Sequence, residues 1–121
     1  MNMKEITIII RPNMYFKTKE ALHKKGIFSM NSQLVYGRGK NTDINIQINK
    51  DTNVDMDIQS YPLLAKKQMN IVVRDEDVQT VIDTVIEVNR TNTPGDGKIF
   101  VTPTEKVFRI RTKECDNNAL V

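Results

Sequence analysis

The chain has 121 residues, of which 39% are hydrophobic and 27% charged, a balance that fits a soluble globular fold and is read as a single domain over 1–121. A formal net charge of +3 is too slight to point to nucleic acid, and one cysteine with one histidine excludes an intrachain disulfide and a Cys/His zinc cage. No apolar run approaches a membrane span, and Met1 to Glu5 leads into a strand without a signal-peptide pattern, so no membrane insertion and a cytoplasmic location are expected.

Glu5 to Arg11 is rich in isoleucine (Ile6, Ile8, Ile9, Ile10) and reads as a central strand stopped by Pro12. Asn13 is placed to cap a helix running to about Lys25, with Thr18, Ala21 and Leu22 inward and Gly26 as its C′ residue. Ser29 to Tyr36 reads as a second strand. A third lies near Gln68 to Val73, with Met69, Ile71 and Val73 on one face. Asp75 is the expected cap of the clearest helix, whose Val78, Val81, Ile82, Val85 and Ile86 form one apolar face. Lys98 to Thr102 is a fourth strand, and Lys106 to Arg111 is expected as an extended C-terminal strand. The order βαββαβ predicts a ferredoxin-like α+β sandwich with both helices on one sheet face.

Residues 41–65 do not fit that scheme, because about 25 residues is too long for a plain connection in a compact domain. Ile44, Ile46 and Ile48 alternate with polar residues, as do Val54, Met56 and Ile58, and a turn-rich segment separates the two runs. Pairing Ile48 with Val54 puts all six apolar side chains on one face of an antiparallel hairpin, a surface suited to docking on a partner. The rival is a disordered loop whose alternation is accidental.

Gly95-Asp96-Gly97-Lys98 stands before the fourth strand. Two glycines let backbone N–H groups approach an anion, and Lys98 adds a charge at that mouth. Arg109 and Arg111 would point the same way in an extended segment. The plain alternative is a tight turn followed by two solvated arginines. A second glycine element, Gly37-Arg38-Gly39-Lys40, weighs against that alternative.

Together with Arg11-Pro12, Ile71-Val72-Val73, Thr91, Ile99-Phe100 and Arg109-Ile110-Arg111-Thr112, these segments resemble, in order and context, the PII nitrogen-regulatory signal proteins. The Arg-Pro-Asn start, the Gly-Arg-Gly-Lys element and the enlarged loop are most similar to the nitrogenase-associated branch. The resemblance implies a trimer of ferredoxin-like subunits, or a mixed oligomer with a sister PII-like subunit. It implies ATP or ADP in clefts between subunits, with Mg²⁺ and 2-oxoglutarate as co-ligands. Gly37, Arg38, Gly39 and Lys40 would line the cleft and open the long T-loop. Gly95, Asp96, Gly97 and Lys98 would cradle phosphates, with Arg109 and Arg111 arriving from the neighbouring subunit. Asn41 stands where the family usually has the Gln of the Mg²⁺ and 2-oxoglutarate site, and Lys66 matches the lysine that pairs with the 2-oxoglutarate carboxylate.

The implied partner is a nitrogenase component, reached by the T-loop. The alternative is another nitrogen-metabolism protein, such as an ammonium transporter or glutamine synthetase. No metal site is expected within the protein alone, and no catalytic residues are expected. A slow ATPase lacks support because no Ser/His or Cys/His pairing is apparent. A ferredoxin-like RNA-binding module lacks it because the strands carry no paired stacking aromatics. His23 reads as solvated, Cys115 as a bystander, and Asp75-Glu76-Asp77 as a complement to the helix dipole.

Overall fold

The computed structural model describes residues 2–38 and 63–120. Its elements are β1 (Met3–Ile10), α1 (Tyr15–Lys24), β2 (Asn31–Gly37), β3 (Leu64–Arg74), α2 (Asp75–Asn89) and β4 (Lys98–Thr104), with short 3₁₀ turns at Pro12–Met14 and Asp116–Ala119. The strands form one antiparallel sheet in the order β2-β3-β1-β4. The fold is the predicted ferredoxin-like α+β arrangement, and β1 is central as its isoleucines require.

Register explains the core. Ile6 sits opposite Ile71 and Val101, and Ile8 opposite Met69 and Ile99, so one sheet face is apolar along three strands. That face packs against Leu22 of α1 and Val81 and Val85 of α2, all buried. The helices touch each other through a polar link. Asn89 Nδ2 donates to Thr18 Oγ1 at 3.0 Å and to the Val85 carbonyl at 2.9 Å, while the Thr18 hydroxyl donates to the Met14 carbonyl at 2.7 Å. Both Asn89 Nδ2 protons are thereby paired, while Asn89 Oδ1 is buried without a partner among the described residues. Because Ile8 is fully buried on the central strand, Ile8→Ala should destabilise the fold by about 2–5 kcal/mol. Denaturant unfolding at one fixed protein concentration measures this.

Gly26 ends α1 as expected. Its φ is +86°, its N–H donates to the His23 carbonyl, and the Ile27 N–H reaches back to Leu22. Those two bonds make a Schellman motif, closed by the buried Leu22 and Ile27.

Several expectations are corrected. Asn13 does not cap α1: it lies inside the 3₁₀ turn that Pro12 opens, and α1 begins at Tyr15. The fixed φ of proline suits the first position of that turn. Asp75 is the first helical residue of α2, not its cap, and its carboxylate pairs with Lys4 Nζ at 2.8 Å. Asp75, Glu76 and Asp77 all sit in the first turn, where negative charge suits the dipole. Strand β3 begins at Leu64 and so takes Leu64 and Ala65 from the interval assigned to the loop. Of the apolar face predicted for α2, Ile86 is exposed while Val81 and Val85 are buried.

Lys106 to Arg111 is not a strand. The chain turns over Ile110–Thr112, and its ladder is the single bridge between Phe108 and Cys115. Arg109 N–H donates to the Glu114 carbonyl and Lys113 N–H to the Arg109 carbonyl, with Lys113 at φ +61°. A local turn has satisfied the backbone groups that a strand would have left for a neighbour.

Candidate anion-binding site

Antiparallel pairing gathers four strand ends at one end of the sheet. Ile9 lies opposite Lys98, Ile10 opposite Lys67, Val35 opposite Lys66, and Gly37 opposite Leu64. The end of β1, the end of β2, the start of β3 and the start of β4 therefore meet. Loop 91–97 enters β4 at this end.

The loop is folded around Asp96. One carboxylate oxygen accepts from the Thr91 N–H at 2.7 Å and the Asn92 N–H at 3.1 Å. The other accepts from the Thr91 hydroxyl and from Arg11 Nη1, the latter at 2.7 Å. The Thr91 hydroxyl and amide, followed by Arg11, hold the Asp96 carboxyl well below the usual carboxylate range, against an opposing effect of burial. Its folded pKa lies below its unfolded one. The stabilisation is therefore present above the ordinary aspartate pKa and is lost only as pH falls through the depressed value. With four donors on it, this carboxylate serves the loop's own conformation.

Gly95 and Gly97 have φ of +97° and +118°. A Cβ on Gly97 would overlap the Ile9 carbonyl oxygen and sit 3.2 Å from Ile10 Cα. Glycine is thus required for the loop to lie against β1. Lys66 Nζ donates to the Gly95 carbonyl at 2.9 Å. Burial, then the nearby Arg11 charge, lowers the Lys66 pKa, while Asp96 opposes that shift.

The structure brings together Gly37, Lys66, Gly95, Asp96, Gly97 and Lys98. Arg38 follows β2 at the same end and is exposed. Gly39, Lys40 and Asn41 lie outside the described residues, as do the hairpin residues Ile44, Ile46, Ile48, Val54, Met56 and Ile58. Arg109 and Arg111 come after the opposite end of β4, where Thr104 pairs with Met3. Seven strand residues separate that end from the loop, roughly 20 Å at the usual rise. Arg109 Nη1 pairs with Glu114 Oε1 at 2.6 Å, and its Nη2 donates to the Asn118 carbonyl at 3.1 Å. The turn at Ile110–Thr112 removes the strand geometry that would have aimed Arg109 and Arg111 the same way.

Behind the loop, between α2 and β4, lies a cavity of about 430 Å³ walled by Ile82, Ile86, Ile99 and Val101 and bordered by Gly97 and Lys98. Its apolar walls are poorly suited to an anion, whose chemistry calls for the amides and cations of the loop. Among the described residues there is no group of three or more His, Cys, Asp and Glu side chains able to hold a metal ion, and no helix is long and apolar enough to cross a membrane.

Sequence reasoning singled out the glycines and Lys98 but gave Arg11 no role at this loop. The signal was faint: a basic residue between the last core isoleucine and Pro12.

Residues 3–114 match the family model described as nitrogen regulatory protein P-II. A nitrogen fixation nifHD region GlnB-like protein 2 of Methanobacterium ivanovii is 40% identical, covering 98% of this chain and all of that protein. A nifHD1 region GlnB-like protein 2 of Methanosarcina barkeri is 42% identical over 98% of this chain and 99% of its own length. Among solved structures, the B. subtilis GlnK–ATP complex superposes with a TM-score of 0.78 at 30% identity, covering 98% of this chain and 96% of that one. Arabidopsis thaliana PII bound to citrate gives 0.76 at 34% identity, covering 98% and 92%. The chain belongs to the nitrogen regulatory protein P-II family, in the branch of its nitrogen-fixation-region relatives.

Proposed function

We propose that this P-II protein is a signal-transducing subunit that binds ATP or ADP and regulates nitrogenase by docking of its 41–65 loop, without catalysing a reaction itself. The observation that carries this reading is the glycine loop, folded around Asp96 and flanked by Lys66, Lys98 and Arg11. Its backbone conformation is held by the loop's own hydrogen bonds to Asp96, which lowers the ordering cost of binding. The solved GlnK–ATP relative supports a nucleotide as the anion.

In this reading Gly37, Arg38, Gly39 and Lys40 line the cleft, and Gly95, Gly97 and Lys98 meet the phosphates. Asp96 acts from behind by fixing the loop. Arg109 and Arg111 reach the phosphates from the neighbouring subunit of a homotrimer or of a mixed oligomer with a sister subunit. Their position beyond the far end of β4 fits a contribution to another subunit's loop better than to their own. Lys66 is the cation for a 2-oxoglutarate carboxylate. Mg²⁺ would be held by the phosphates and Asn41, because the Asp96 carboxylate is already fully engaged. A bound Mg²⁺ supplies charge neutralisation among phosphate oxygens.

The nifHD-region names of the relatives favour nitrogenase as the target. An ammonium transporter or glutamine synthetase is the second choice. Titration calorimetry should show ADP or ATP binding with negligible turnover. Nitrogenase activity should change when the purified protein, with its sister subunit where one is required, is added at defined ATP, ADP and 2-oxoglutarate. Nitrogenase activity unchanged at every ligand level rejects the target. Rapid hydrolysis of ATP would favour the ATPase reading instead.

A further inference from the structure

We infer that Arg11 is a positioning residue that clasps loop 91–97 in its anion-binding conformation, although it lies more than eighty residues away in sequence. The inference rests on the nucleotide reading for what the loop holds, but the clasp itself is a matter of geometry.

Arg11 leaves β1 directly after the buried Ile10, and Pro12 turns the chain away at once. The backbone on both sides of Arg11 is thereby fixed: the sheet holds one side, and the 3₁₀ turn holds the other through the Met14 N–H to the Arg11 carbonyl. Its guanidinium then makes three contacts. Nη1 donates to Asp96 Oδ1 at 2.7 Å. Nη2 donates to the Pro94 carbonyl at 2.9 Å and to Thr93 Oγ1 at 3.3 Å. These acceptors come from three residues of one turn, which a rigid planar fork can reach together and a lysine ammonium cannot.

Gly95 takes part in the same fit. A Cβ there would stand 3.2 Å from Arg11 Nη2 and 3.7 Å from Lys66 Nζ. The guanidinium therefore packs against the bare backbone of Gly95. Lys66 grips the Gly95 carbonyl, so two cations hold a loop that contributes one carboxylate. The surplus positive charge lies at the loop, as an anion would need.

Amide hydrogen exchange on the full chain tests the clasp without any ligand. The Thr91 and Asn92 N–H groups donate to Asp96, so they report whether that carboxylate is held in place. Arg11→Met should speed exchange at both amides and weaken ADP binding, each by about tenfold or more, since it removes a charged partner of a hydrogen-bonded carboxylate. Arg11→Lys keeps the charge without the fork and should fall between wild type and Arg11→Met; it carries the test if Arg11→Met does not fold. Asp96→Asn should cost less in the Arg11→Met background than alone, because the two residues act as one unit. Weakened ADP binding with unchanged exchange would overturn the inference, since Arg11 would then act on the ligand directly. Faster exchange with unchanged ADP affinity would also overturn it. Faster exchange in a protein whose wild type binds no ADP would uphold the clasp and reject the nucleotide reading alone.

Discussion

Gly97→Ala should remove nucleotide binding almost completely while leaving most of the fold intact. Two effects act together at this position. The φ of +118° is a conformation that costs a non-glycine residue about 1–3 kcal/mol. The added Cβ would also overlap the carbonyl of Ile9, which belongs to the central strand and lies in the ladder with Lys98. That carbonyl cannot yield without opening the β1–β4 pairing, so the loop must yield instead. Once it lifts, the loop no longer stands beside Lys98, and the Lys66 bond to the Gly95 carbonyl is disturbed. Losing even one charge-assisted contact of about 1.5–3 kcal/mol lowers affinity roughly tenfold or more, and displacement of the loop removes several. ADP titration calorimetry measures the loss, and unfolding at the same protein concentration separates it from global instability. Gly37→Ala separates backbone strain from contact with the ligand, because a Cβ there meets no atom of the described residues within 4 Å and Gly37 has no positive φ, so any loss of ADP affinity there would come from the cleft itself. An unchanged ADP affinity in Gly97→Ala would show that the loop does not hold the nucleotide.

The same position shows what the sequence could and could not reveal. Gly97 is legible because the residue type is itself the signal: glycines flanking an acid mark backbone that takes positive φ or lies close to other atoms, although the strand it meets, at Ile9, is not written in that motif. The strands and α2 were legible for a related reason, since their apolar periodicities state which face is buried. Arg11 was not legible, because its partners lie 82 to 85 residues further along and only the β1–β4 pairing brings them near. The two cap assignments failed through competition. Asn13 and Asp75 are good capping residues, yet Pro12 had already shaped one turn and β3 runs without a break into α2, so each helix began without a side-chain cap bond. The tail strand failed for a third reason. Arg109 to Thr112 alternates like a strand, but Glu114 gives Arg109 both a backbone acceptor and a carboxylate five residues away. A turn that satisfies its own groups outcompetes an extended segment that must wait for a neighbour.

The pairing of Arg109 with Glu114 sets the terms of the largest electrostatic effect expected here. Lys98→Ala combined with Arg109→Ala should weaken ATP binding by about 10²- to 10⁴-fold, from two charge-assisted contacts of roughly 1.5–3 kcal/mol each. In this reading the two residues reach the same phosphates from different subunits, so the single variants set beside the double one measure how strongly the two contacts are coupled. Arg109 already has an anionic partner at 2.6 Å, and a triphosphate would compete with that carboxylate for the guanidinium. Glu114→Gln should therefore act in the opposite direction and strengthen ATP binding, because it removes the competing charge while keeping a hydrogen-bonding side chain of similar shape. The gain should be modest, about threefold to tenfold, since a half-exposed ion pair is worth roughly 1 kcal/mol. Both effects should shrink as salt is raised. Calorimetric titration of ATP into the single, double and Glu114→Gln variants gives all the values needed. Unchanged affinity in the double variant would remove Lys98 and Arg109 from the site. Weaker binding in Glu114→Gln would mean that Glu114 holds Arg109 in its binding pose rather than competing for it.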